Sequence, residues 1–161
     1  MFHVEKALDD EALIAHICDR YHETHRRELP VILALARDLE ACGGASGLAQ
    51  ALAAMAAELE LHMFKEEMRL FPMMEQGGNT LLWQLVDAMR TEHGAQRDQI
   101  TRLQSDLSQR VAPAGAETLL ALLHLSAGKL FADLIEHMEV EDKVLFERFA
   151  CRAGSGRSAL R

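Results

Sequence analysis

Aromatic residues are scarce in this chain of 161 residues, with one Trp, one Tyr and six Phe. That scarcity, beside plentiful Ala, Leu and Glu, speaks against a sheet and for helices. A basic excess is also missing. Lys and Arg number 17 against 25 Asp and Glu, a formal charge of −8, so neither nucleic acid nor an acidic membrane surface is an expected partner. No uninterrupted apolar run approaches the roughly 18–20 residues of a membrane span. The N-terminal MFHVEKALDDEAL carries acids where a secretion signal needs a basic and then an apolar stretch. Cysteine is limited to Cys18, Cys42 and Cys151, an odd number without CxxC spacing. A disulfide framework is therefore not expected, and a cytoplasmic protein with reduced thiols is.

What is present is 49% apolar and 26% charged residues, the composition of one ordinary globular domain. Turn-rich stretches at 42–47, 76–80 and 112–115 divide the chain into segments of about 10–41, 46–75, 80–110 and 116–150. Sustained alternation of apolar and polar residues is absent, so no strand is expected. Apolar stripes at helical spacing run through Leu48, Leu52, Met55 and Leu59, through Leu82, Val86 and Met89, and through Leu123, Leu130 and Leu134. Helices of this kind joined by short loops pack as an all-α, antiparallel, up-down-up-down four-helix bundle. Residues 1–9 read as an N-terminal extension, 10–150 as the bundle and 151–161 as a flexible C-terminal tail. Ser46 and Thr80 read as N-caps, and Pro30 as a kink or a fresh helix start.

One motif occurs twice. His62–Phe71 reads HMFKEEMRLF and His137–Phe146 reads HMEVEDKVLF. Each has His-Met, acids four and five residues after the His, and Leu-Phe at eight and nine. Four residues is about one turn, so His62 and Glu66 share a helix face, as do His137 and Glu141. The third segment places His93 on its stripe, and the first places His22 or His25. Counted from the helix ends that share one pole, His22 lies about 12 residues in, and His62, His93 and His137 about 13. Glu66 and Glu141 lie one turn nearer that pole. His25 is less than a turn too deep and stays in reserve, whereas His16, His124 and His3 fall off the level.

Two carboxylates and four imidazoles inside an apolar bundle cost several kcal/mol per unpaired charge unless a cation neutralises them. Mixed imidazole and carboxylate donors suit iron or manganese better than zinc. Two facing glutamates can each bridge two metals, so a dinuclear centre fits the donor count. Ferritin-like centres use Glu-x-x-His, which this spacing does not match.

Arg20-Tyr21-His22, His25-Arg26, Glu28-Leu29-Pro30, His62 to Glu67, Leu70-Phe71-Pro72, Glu92-His93 and His137 through Phe146 together resemble the hemerythrin superfamily. Specifically, they resemble its branch that repairs iron centres under nitric-oxide stress. The resemblance covers about residues 11–150. It implies a hemerythrin-like bundle with two non-haem iron ions ligated by His22, His62, Glu66, His93, His137 and Glu141. The resemblance further implies that Glu66 and Glu141 bridge the two irons, together with an oxo or hydroxo group. The implied function is to bind nitric oxide or to supply iron for repair of damaged iron–sulfur clusters, with iron–sulfur proteins as acceptors. Turnover of nitric oxide and simple binding both stay open. The alternative is reversible binding of dioxygen as a store or sensor. Oxygen-carrying hemerythrins, however, have a second His four residues along the third helix, where this chain has Arg97, and bridge with an Asp at the offset of Asp142. The sequence thus permits either Glu141 or Asp142 as the bridging acid, with Glu141 favoured because it mirrors Glu66 in the repeat.

Of the remaining polar residues, His16 and His25 read as surface or supporting groups. Glu67 and Asp142 read either as acceptors for an imidazole N–H or as solvated acids. Lys65, Arg69 and Lys143 read as ordinary exposed charges, the methionines as core filler, and the thiols as structural.

Overall fold

The computed structural model describes residues 2–43, 46–77 and 81–150. No strand occurs among them, and the chain is all-α. A short helix, α1 (His3–Ala7), precedes four long helical runs. Helix α2 is continuous through Asp10–Ile17, Cys18–His22 and Glu23–Ala41. Helix α3 joins Leu48–Lys65, Glu66–Leu70 and Phe71–Glu75 in the same way, and α4 is Leu82–Ser108. Helix α5 runs through Glu117–Val140 and Glu141–Leu145 and on to residue 150. Among the described residues there are therefore five helices where four were expected, because the N-terminal stretch before residue 10 contains α1. Arg148 near the end of α5 fastens that stretch by donating to the carbonyls of Glu5 at 2.9 Å and Leu8 at 2.8 Å. The tail 151–161, including Cys151, lies outside the described residues.

The middle part of α2, α3 and α5 is a π-turn. The N–H of Glu23 reaches back five residues to the Cys18 carbonyl, as do Phe71 to Glu66 and Phe146 to Glu141. Each π-turn begins or ends on a residue of the repeated motif or on its partner His22. The extra backbone residue advances the register, so apolar residues on both sides of the turn face inward.

Helix starts follow local chemistry only in part. Asp9 caps α2, accepting from the Ala12 N–H at 2.8 Å, with Asp10 and Glu11 in the first turn beside the positive helix end. Ser46 does not cap α3. Gly47 holds that position at φ 97°, a left-handed conformation that glycine adopts without a Cβ clash. The Glu40 carboxylate instead accepts from the Ala49 N–H at 3.1 Å. Thr80 lies outside the described residues, and Leu81 precedes α4 without a side-chain cap. No new helix starts at Pro30, which lies inside Glu23–Ala41.

Helix α2 packs against α3 and α5, and α4 packs against the same two. The apolar core falls into two clusters. One includes Leu29, Ile32, Leu52, Met55, Leu59, Ile100, Leu130 and Leu134. The other includes Leu13, Ile17, Tyr21, Leu70, Phe71, Val86, Leu145 and Phe146. Between them lies a layer of buried His and Glu. By length and composition the run Glu117–Ala150, which contains an 18-residue window of mean hydropathy 1.5, is apolar enough to cross a membrane. The inward face of a core helix meets the same criterion, and here Leu123, Ala127, Leu130 and Leu134 are all buried in the first cluster.

Candidate metal centre

His22 arrives from α2, His62 and Glu66 from α3, His93 from α4, and His137 and Glu141 from α5. Every one of the six is buried, with exposure of 0–1%. The imidazoles meet in two pairs, His22 with His137 and His62 with His93. In each pair the Nε2 atoms are 3.1 Å apart. Both glutamates lie between the pairs. Glu66 turns Oε2 toward His22 Nε2 at 3.5 Å and Oε1 toward His62 Nε2 at 3.1 Å. Glu141 turns Oε1 toward His137 Nε2 and Oε2 toward His93 Nε2, each at 3.2 Å.

These donor atoms form two overlapping groups, His22–Glu66–His137–Glu141 and His62–Glu66–His93–Glu141, each gathered within 4.8 Å. None of the four carboxylate oxygens has a well-aligned hydrogen-bond donor, despite complete burial. Six donors thus converge on shared points, and the carboxylate oxygens among them are left without partners. Buried polar atoms are normally hydrogen-bonded, so this arrangement fits cations as the missing partners.

The electrostatics agree. Burial works against charge on His22, but the Cys18 thiol, Glu66 and Glu141 outweigh it and push its pKa up to about 11. Burial likewise opposes charge on His93, yet Asp142 and Glu141 push it up to about 10. His62 is also raised, with Glu66 as its main support against burial. Burial and their mutual repulsion oppose charge on Glu66, and burial opposes it on Glu141. The surrounding imidazoles nevertheless hold both carboxyls below their usual range. Protons on His22 and His93 supply positive charge that cations would otherwise bring.

Outside this centre stands a second ring of polar groups. Glu67 accepts from His22 Nδ1 at 2.7 Å, Glu92 from His62 Nδ1 at 2.9 Å, and Asp142 from His93 Nδ1 at 2.9 Å. A cation holds each carboxylate in turn. Arg26 donates to Glu67 at 2.9 Å, Lys65 to Glu92 at 2.7 Å, and Arg97 to Asp142 at 2.7 Å. An acceptor on the outer nitrogen fixes the tautomer that presents the inner nitrogen to a metal.

The expected residues therefore come together, with several refinements. Glu141 faces the centre while Asp142 faces outward, which separates the two acids that the sequence left open. Glu67 and Asp142 are imidazole partners rather than solvated acids. Lys65 is not an ordinary exposed charge, since it steadies Glu92. His25 is buried beside the centre but belongs to neither donor group. His16 lies off it, 3.9 Å from Glu5, and His124 takes no part. The role of Glu92 was missed, yet a signal existed in its position directly before His93. Both acids of the repeat are used. Its acid at offset four turns inward, and its acid at offset five reaches the His of a neighbouring helix. The repeated Leu-Phe pairs place Phe71 against His22 and Phe146 against His93, with ring centroids 6.0 Å apart in both cases.

The family described as Hemerythrin HHE cation binding domain matches residues 13–149, which include all six converging residues. The iron-sulfur cluster repair protein YtfE of Yersinia pestis (strain Pestoides F) is 33% identical over 141 residues. That match covers 84% of this chain and 64% of the relative. The protein of the same name from Yersinia pseudotuberculosis serotype IB (strain PB1/+) is 35% identical over 142 residues, with the same coverage. The chain thus spans somewhat less than two thirds of the length of these relatives.

Proposed function

The chain belongs to the hemerythrin family, and on that premise we propose that it is a non-haem di-iron protein of nitrosative or oxidative stress. In this reading it binds nitric oxide or supplies iron for the repair of damaged iron–sulfur clusters. The observation that carries the reading is the sharing of Glu66 and Glu141 between two histidine pairs. His22 and His137 would hold one iron, His62 and His93 the other, and the two glutamates would bridge them. When bound, such a pair of irons supplies exchange between ferrous and ferric states and an open position for a diatomic molecule.

The chain's own residues do the rest. His22, His62, His93 and His137 present Nε2 inward, and each must give up any proton there before it can ligate. Glu67, Glu92 and Asp142 take the outer N–H of three of them. The two apolar clusters shield the centre from water on both sides. An up-down-up-down order of the four long helices is part of the reading. It is supported by contacts that fall along α5 as they rise along α2, namely Asp10 with Arg148, Arg20 with Asp133, and Glu28 with Lys129.

Two relatives named for iron–sulfur cluster repair support carrying that role to this chain. Iron–sulfur proteins are then the acceptors, and nucleic acid and membranes are not partners. Reversible oxygen carriage is the weaker reading. Arg97 stands where oxygen carriers have an additional imidazole, and it is tied to Asp142 at 2.7 Å. The test is to load the protein with ferrous iron, record visible spectra with nitric oxide and with oxygen, and incubate it with an apo iron–sulfur enzyme. A lasting spectral change with nitric oxide and recovery of the enzyme's activity are expected. A reversible oxygen spectrum without iron transfer would overturn the proposal.

A further inference from the structure

Three of the four inward histidines have a carboxylate on their outer nitrogen, and His137 does not. Among the described residues its Nδ1 is buried without a hydrogen-bond partner. The group beside it is His25, which is fully buried and likewise has no partner on either ring nitrogen. The two ring centroids are 5.4 Å apart, with the planes inclined at 38°. His62 and His93, whose facing nitrogens are 3.1 Å apart, have centroids 4.9 Å apart. His25 and His137 are thus spaced nearly as closely as two imidazoles in nitrogen-to-nitrogen contact. Rotation about Cβ–Cγ exchanges nitrogen and carbon positions on a histidine ring while the space it fills stays the same. Such a rotation changes which ring atom His25 turns toward His137 without repacking the core. Tyr21 stacks on His137 with centroids 5.2 Å apart and planes 8° from parallel, so the ring is held from another side as well.

We propose that His25 is a positioning residue for His137, accepting its outer N–H when the inner nitrogen ligates a metal. Being neutral where Glu67, Glu92 and Asp142 are anionic, it makes the His22–His137 half the more weakly held of the two cation positions. This rests on the metal-centre reading above. An anionic acceptor raises the donor strength of an imidazole toward a metal, and a neutral acceptor raises it less. His25 is fully buried with no carboxylate on either ring nitrogen, a setting that disfavours charge on an imidazole. Packing alone gives no reason for a histidine here, because an apolar side chain would fill the space without burying two unpartnered nitrogens. For a protein that gives up iron, a centre with one weaker position would release its two ions in sequence.

The experiment challenges ferrous-loaded protein with a ferrous chelator under anaerobic conditions and follows iron release in the wild type, His25→Leu and His25→Gln. The wild type is expected to release iron in two phases of equal amplitude. His25→Leu should accelerate the faster phase about tenfold and leave the slower one unchanged. His25→Gln, whose amide oxygen can accept the same N–H, should return the faster phase close to the wild-type rate. If the leucine variant does not fold, His25→Phe takes its place. Unfolding of the apoproteins adds a readout that needs no metal, with His25→Leu expected to be at least as stable as the wild type. A single release phase in a wild type that holds two irons would overturn the inference alone, as would equal effects of His25→Leu on both phases. A wild type that retains no iron would overturn the metal-centre reading beneath it.

Discussion

At the scale of single residues, the account turns on two glutamates placed between four histidines. Replacing Glu66 or Glu141 with Leu removes an oxygen from both cation positions at once, while leucine suits the apolar stripe. Metal content measured after ferrous loading is expected to fall to less than half of the wild-type value, with helix content by circular dichroism unchanged. Retention of the full complement in both variants would contradict the shared role. The outer carboxylates act more gently. Asp142→Ala should weaken metal binding about tenfold or more in a competition with a chelator, because His93 loses its acceptor and Arg97 its partner. The six central residues were legible in the sequence because burying so many polar groups at one level of a helical bundle has few other uses. Spacing favoured His22 over His25 but kept His25 in reserve. The π-turn at Cys18–His22 shifts the register just there, and both side chains end up buried.

At the scale of elements, three π-turns bring the motif residues into place, and α4 has none within Leu82–Ser108. Helical periodicity predicted the long runs well, since their apolar stripes dominate their packing. It did not predict the π-turns, because one inserted residue alters a stripe no more than ordinary variation does. The Leu-Phe pairs at 70–71 and 145–146, adjacent in sequence and both buried, were the available sign. Caps were read less well. The start of α3 depends on Glu40, nine residues earlier in the chain, and no local pattern around Ser46 reveals it. Glu40→Ala is therefore expected to destabilise the protein by about 1 kcal/mol, the usual worth of a cap, as measured by chemical denaturation. Metal content should be unaffected, and an unchanged unfolding midpoint would show that the Ala49 N–H finds another acceptor.

At the scale of the whole molecule, a charged layer divides two apolar clusters, and its protonation couples to folding. His22 and His93 have folded pKa values raised above the unfolded value, to about 11 and about 10. Their contribution to stability is fully present below about pH 6.5 and is lost as pH rises through the folded values. The metal-free protein is therefore expected to lose thermal stability steadily from about pH 6.5 to about pH 11, and metal loading at neutral pH should release protons that a pH indicator detects. A flat stability profile across that range would mean that the imidazoles are neutral in the metal-free fold. The measurement closest to the central claim is the iron content of the ferrous-loaded chain, determined together with magnetic coupling between the ions. Two coupled irons per chain are predicted from the two donor groups that share Glu66 and Glu141. One iron, two uncoupled irons or none would contradict the account.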